Sequence, residues 1–245
     1  MRVLLIDGLN LIRRIFEADA RPIEDVMVAC VNSVKRALAE HDPTHAICVM
    51  DRSVPTFRHT IYPEYKAGRT PAPAALTEAL PAFEDRFLDL GVRSLFAPGF
   101  EADDIIATVA VAIADAGEAR ILSTDRTFQQ LLSDRVRVFD HFRRGEVTAS
   151  DVQDKHGVAV AALVDFWSLT GDSSNNIRGV RGIGPKRAAL LLERYGDLAS
   201  ILSSGDSDAV RVREGAAEAM LATRLVRLKT DVPLGTNLRE FRLQR

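Results

Sequence analysis

Apolar and polar positions along the chain switch between two periods. Val3-Leu4-Leu5-Ile6 is a short continuous apolar run ending at Asp7-Gly8, the pattern of a buried strand. A helix is predicted from Leu9 to a stop before Pro22, and Ile23 to Ala39 again has helical spacing. Ala46 to Met50 reads as a second strand, ending at Asp51. Arg52 to Pro73 has little periodicity. It reads as a long basic connection bearing Arg58, His59, Tyr62, Tyr65, Lys66 and Arg69. Leu76 to Leu90 is a helix closed by Gly91, and Val92 to Phe96 a third strand leading to Pro98-Gly99. Ile105, Ile106, Val109, Ala110 and Ile113 mark the buried face of a helix that Gly117 ends. Ile121-Leu122 forms a fourth strand, ending in Ser123-Thr124-Asp125, and Val136 to Phe139 a fifth. Strands alternating with helices predict an α/β fold, with a mostly parallel central sheet and helices on both faces.

From Val147 the alternation stops. Val152 to Gly157, Ala161 to Leu169, Ala188 to Tyr195 and Leu221 to Leu228 read as helices, and the tail from Thr230 has no assignable pattern. The expected organisation is therefore an α/β core over residues 1–147, with its basic loop at 52–75, followed by a helical region over 148–245.

The polar residues that punctuate this pattern are acidic where they matter most. Glu101-Ala102-Asp103-Asp104 puts three carboxylates in the first turn of a buried helix. One suffices to complement a helix N-terminus. Two carboxylates about 4 Å apart repel by roughly 4 kcal/mol at an effective dielectric near 20, so such crowding calls for solvation, protonation or a cation. Asp7, Asp51 and Asp125 each follow an apolar strand. In an open parallel sheet the ligand site lies outside the carboxyl ends of the strands, so these acids are expected on one edge. Singly, each Asp is an ordinary N-cap; together they form an oxygen-only set suited to Mg²⁺ or Mn²⁺.

Composition narrows the setting. The chain has 245 residues, 47% of them apolar, and a net charge of −2, so any nucleic-acid surface has to be local. Cys30 and Cys48 both lie in apolar segments and read as core residues of a reducing compartment. Neither a signal peptide nor an apolar run long enough for a membrane span is read, and a cytoplasmic protein is expected, as a monomer.

One local basic surface stands out. Gly182-Ile183-Gly184-Pro185-Lys186-Arg187, followed by a helix from Ala188, is a helix-hairpin-helix pattern. Glycines let the backbone approach a phosphate, Pro suits the first helical turn, and the N–H groups there hold an anion. Arg178 and Arg181 add charge. Contacts of this kind address the nucleic-acid backbone, so DNA binding independent of base sequence is expected.

Leu5-Ile6-Asp7-Gly8, Tyr65-Lys66-Ala67-Gly68-Arg69, Glu101-Ala102-Asp103-Asp104, Ser123-Thr124-Asp125, Thr170-Gly171-Asp172-Ser173-Ser174 and Gly179-Val180-Arg181-Gly182-Ile183-Gly184 occur in this order. On these motifs the chain resembles the bacterial 5′-nuclease and flap endonuclease superfamily almost end to end. The resemblance implies a PIN-like nuclease core with a helix-hairpin-helix region, and Mg²⁺- or Mn²⁺-dependent hydrolysis of branched or 5′-flap DNA. It implies a first metal site from Asp7, Asp51, Glu101, Asp103 and Asp104, with Asp103 the most direct ligand, and a second from Asp125 and Asp172. Lys66 and Arg69 would touch the scissile phosphate from an arch. Main-chain carbonyls of Leu169, Thr170, Arg178, Val180 and Ile183 would hold K⁺. Two acids of the polymerase-linked members are absent: their places are Thr127 and Asn175. This depletion keeps a second expectation open, a structure-specific DNA-binding protein with weak or no catalysis. A ribonuclease of the related acidic-site type is a third, and the hairpin argues against it.

Overall fold

A computed structural model describes residues 1–18, 21–52, 55–143 and 145–244. The chain runs β1 (Arg2–Asp7), α1 (Gly8–Ala18), α2 (Ile23–His41), β2 (His45–Val49), α3 (Phe57–Ile61), α4 (Ala74–Leu88), β3 (Arg93–Leu95), α5 (Ala102–Ala114), β4 (Glu118–Leu122), β5 (Val136–Asp140) and β6 (Gly145–Val147). It continues through α6 (Ala149–His156), α7 (Leu163–Thr170), β7 (Gly171–Asp172), β8 (Ile177–Arg178), α8 (Pro185–Tyr195), α9 (Leu198–Ser203), α10 (Val210–Glu214) and α11 (Ala216–Val226). Two compact units result. The first comprises residues 1–56, 70–146 and 229–245, and the second residues 57–69 and 147–228.

The first unit is built on a six-stranded sheet in the order β3-β2-β1-β4-β5-β6. β1 pairs in parallel with β2 on one side and β4 on the other, and β2–β3 and β4–β5 are parallel too. Val3, Leu4, Leu5 and Ile6 are fully buried, as expected of a central strand covered on both faces. One core layer joins Leu4 and Ile6 to Ile12 of α1, Val26, Cys30 and Val34 of α2, and Phe83 and Phe87 of α4. Both cysteines are free and buried, and burial pushes the Cys30 thiol up to about 12, so they serve as small apolar side chains.

The strand order decides where chemistry can sit. The chain leaves β1 towards β2 and β3, then crosses back to place β4 on the other flank of β1. That reversal is a topological switch point, and open α/β sheets take their ligands outside the carboxyl ends of the strands at such a point, here β1 and β4.

Two segments depart from the pattern expected of them. The basic connection contains a helical turn, α3, formed by only five residues. The tail is ordered: Lys229 and Val232 donate backbone N–H groups to Asp104 and Thr108, Leu243 donates to the carbonyl of Thr44, and Arg242 bridges His45. Among the described residues no helix is long and apolar enough to cross a membrane.

Candidate active site

Strand register brings the acids to one edge. Asp7 closes β1 opposite Val49, so Asp51 lies two residues beyond the end of the neighbouring ladder. Ile6 is opposite Leu122, which sets Ser123 beside Asp7 and Asp125 two residues further on. Ser123 Oγ donates to Asp7 Oδ2 at 2.7 Å, and the Asn10 N–H reaches Asp7 Oδ1 at 3.3 Å. Despite these donors the Asp7 carboxyl is pushed up to about 7. Burial is the main cause, and the negative charges of Asp125 and Asp51 add to it. The nearby negative charges of Asp125 and Asp51 make this edge one where positive charge is favoured.

The start of α5 joins the same edge. Glu101 is the N-cap, and its side chain and that of Asp104 form a capping box. Asp51 Oδ1 accepts the Ala102 N–H at 2.9 Å, tying the end of β2 to this turn. Asp104 is fully buried, and its Oδ1 accepts the Lys229 N–H at 2.9 Å. Asp103, between them, is half-buried. Among the described residues, no three His, Cys, Asp or Glu side chains already stand as a metal-holding group. The side chains of Glu101, Asp51 and Asp104 accept nearby backbone N–H groups instead.

Asp172 belongs to the second unit, where it keeps company with the candidate cations. It caps a turn of 3₁₀-helix over Ser173–Asn175. The Ser174 N–H and Oγ donate to its Oδ1 at 3.1 and 2.7 Å, and Asn175 Nδ2 donates to Oδ2 at 2.7 Å. Lys66 donates its backbone N–H to the Asn175 carbonyl at 2.9 Å, and Arg69 Nε reaches the Ser174 carbonyl at 3.0 Å. Lys66 adopts a left-handed φ of 57°, and its Nζ lies 5.2 Å from the Tyr65 ring centre. Tyr65 is buried and packs beneath the loop; Tyr62 donates its hydroxyl to Glu64. Asn175 Oδ1 is buried with no hydrogen-bond partner among the described residues, which leaves an oxygen ligand beside Asp172.

Arg58 departs from its neighbours in the basic loop. It is only 2% exposed, and its guanidinium donates to the carbonyls of Leu225 and Arg227 at 2.8 and 3.3 Å. It clamps the C-terminal end of α11, where positive charge is favoured.

The hairpin forms as its glycines require. Gly182 has a φ of +80°, Gly184 is the N-cap of α8 and Pro185 its first residue. Gly171 and Gly179 let two backbones touch: a Cβ on Gly179 would stand 2.3 Å from the Thr170 carbonyl carbon. The carbonyls of Leu169 and Val180 already accept the N–H groups of Val180 and Ile183.

Residues 2–157 match the model of the 5′-3′ exonuclease N-terminal resolvase-like domain, and residues 158–245 that of the 5′-3′ exonuclease C-terminal SAM fold. The chain belongs to the 5′-3′ exonuclease family. It is 44% identical to the flap endonuclease Xni of Aeromonas hydrophila subsp. hydrophila, over 98% of this chain and 95% of that one. It is 41% identical to the flap endonuclease Xni of Psychromonas ingrahamii, over 98% and 96%. Among solved structures it resembles the D15 protein of phage T5 crystallised with metal ions, at a TM-score of 0.80 and 22% identity over 92% of this chain and 89% of that one. It also resembles T5 5′-exonuclease with bound zinc ions, at a TM-score of 0.78 and 25% identity over 94% and 90%.

Within this 5′-3′ exonuclease chain, Thr127 and Asn175 do more than lack charge. The Thr127 N–H and hydroxyl both donate to Asp125 Oδ1, as Asn175 does to Asp172. Each neutral residue thus occupies an oxygen of the acid beside it. Asn10 and Lys229, which hold Asp7 and Asp104, carry no motif that would single them out in the sequence.

Proposed function

We propose that this protein is a divalent-metal-dependent 5′-nuclease that hydrolyses phosphodiester bonds in 5′-flap or branched DNA. The observation that carries the reading is the acid edge, where the register of β1 with β2 and β4 puts Asp7, Asp51 and Asp125 at the same ends of neighbouring strands. Membership of the 5′-3′ exonuclease family supports it, as do the names of the relatives.

Asp7, Asp51, Glu101, Asp103 and Asp104 would hold one Mg²⁺ or Mn²⁺, and Asp125 and Asp172 a weaker second. Such an ion supplies a water of lowered pKa and a hold on the phosphate. The rest falls to the chain's own groups. Asp103, half-buried on the first turn of α5, is open enough to reach a ligand. Lys66 and Arg69 offset charge on the phosphoryl oxygens, and their backbone and side-chain bonds to Asn175 and Ser174 hold them in place for it. Gly182, Ile183, Gly184, Pro185, Lys186 and Arg187 hold duplex phosphates. The carbonyls of Leu169, Thr170, Arg178, Val180 and Ile183 take K⁺, which braces the hairpin. We take the protein as a cytoplasmic monomer whose products carry 5′-phosphate and 3′-hydroxyl ends.

Thr127 and Asn175, seated on Asp125 and Asp172, favour one rival: a structure-specific DNA-binding protein with little catalysis. An end-labelled flap with Mg²⁺ or Mn²⁺, against a chelator control, separates the two. Metal-dependent cleavage that Asp103→Ala abolishes while duplex binding persists is the expected result. Binding without product in both metals, at high protein concentration, would establish the rival instead.

A further inference from the structure

We infer that Arg211, on α10, is a phosphate-contacting residue of the hairpin, delivered to the glycine turn from a distant part of the sequence. The inference rests on the reading of the hairpin as a duplex-phosphate site. Its basis is a close approach. A Cβ placed on Gly182 would stand 2.4 Å from Arg211 Nη1, so the guanidinium lies directly over the glycine. A second close approach fixes α10 there: a Cβ on Gly215, at the end of that helix, would meet Val180 Cγ1 at 2.8 Å. Gly215 also donates its N–H to the Arg211 carbonyl at 3.1 Å. Two contacts, one at each end of a short helix, hold the arginine against the turn.

The neighbouring bases are engaged with protein. Arg194 pairs with Asp206 at 3.0 Å and Asp208 at 2.5 Å. Arg213 donates to the carbonyls of Ser204 and Asp206, Arg187 to that of Asp208 at 3.2 Å, and Arg178 faces Glu64 at 3.7 Å. Arg211 is exposed, and no acid or carbonyl among the described residues takes its guanidinium. Among the described residues Arg181 and Lys186, on the hairpin itself, share that state. A cation left in water beside backbone N–H groups that already favour an anion is suited to a phosphate oxygen. Gly182 thereby has two reasons to be glycine: its positive φ, and the room it leaves for a guanidinium.

The test is equilibrium binding of the full-length protein to a labelled DNA duplex across a KCl series. Arg211→Ala is expected to weaken binding about three- to tenfold and to lower the slope of log affinity against log salt by about one, the signature of one lost phosphate contact. Arg211→Lys should keep the slope. Gly182→Ala should weaken binding at least as much as Arg211→Ala, since it disturbs the turn as well as displacing the guanidinium, and adding Arg211→Ala to it should cost little more. An unchanged slope in Arg211→Ala overturns the inference. The Lys186→Ala/Arg187→Ala variant reports on the hairpin reading separately: if it loses affinity and Arg211→Ala does not, the hairpin stands and Arg211 falls. If only Arg211→Ala loses affinity, Arg211 stands and the role of the two hairpin cations falls. Since the side chain is exposed, thermal unfolding of Arg211→Ala should match the parent protein.

Discussion

Asn175 Nδ2 donates to Asp172 Oδ2 at 2.7 Å, so a neutral amide occupies an oxygen that the proposed second metal site would use. Replacing the amide by a carboxylate reverses the sign of that contact. Asn175→Asp should therefore destabilise the metal-free protein by about 1–3 kcal/mol, since two carboxylates then share a buried corner. Mn²⁺ should return that stability, giving a larger metal-induced rise in melting temperature than in the parent. Thermal unfolding in chelator and in Mn²⁺ decides; equal metal-induced shifts in both proteins would count against a cation site at Asp172.

Asp7 predicts a pH dependence. Its folded-state pKa of about 7 lies above the ordinary 3.8, so the folded protein favours the protonated acid. This group's share of stability is complete below about pH 4 and is lost as pH rises through about 7. In chelator the loss should be on the order of 3–4 kcal/mol. Asp7→Asn, which cannot ionise, should lack that fall. Denaturant unfolding of both proteins between acid and neutral pH measures the difference, and parallel curves would refute it.

Arg58 is expected to act on stability through the second unit. Removing its guanidinium leaves the carbonyls of Leu225 and Arg227 without their donors. Arg58→Ala should cost about 3–5 kcal/mol, and Arg58→Lys should recover only part of this, because a compact ammonium does not match the forked geometry. Chemical denaturation reads both.

Gly8 lies tightly packed next to Asp7. A Cβ there would come within 2.3 Å of Met50 Sδ and 2.7 Å of Cys48 Sγ. Gly8→Ala should lower stability by about 1–3 kcal/mol through overpacking, and adding Met50→Ala should relieve part of the clash. A double-variant cycle showing no such relief would place the strain elsewhere.

How much of this is legible in the sequence depends on how local the cause is. Continuous apolar runs such as Val3 to Ile6 mark strands, and an Asp at the end of each becomes a shared edge once the sheet is parallel. Gly-Ile-Gly-Pro marks the hairpin because its turn demands those residues. Short α3 escapes a periodicity reading because five residues show little more than one turn, and its hold comes from Arg58 reaching α11. The tail escapes because isolated backbone bonds to Asp104 and Thr44 order it, with no repeating apolar face. Arg211 owes its place to tertiary packing alone; it has no neighbour in sequence that points to the glycine it meets.

The bond between Lys229 and Asp104 has a consequence for how the protein comes into being. The helix that bears the acidic turn is synthesised long before the residue whose amide completes it. The acidic turn therefore keeps an open acceptor at Asp104 until a residue 125 positions further along the chain has been made.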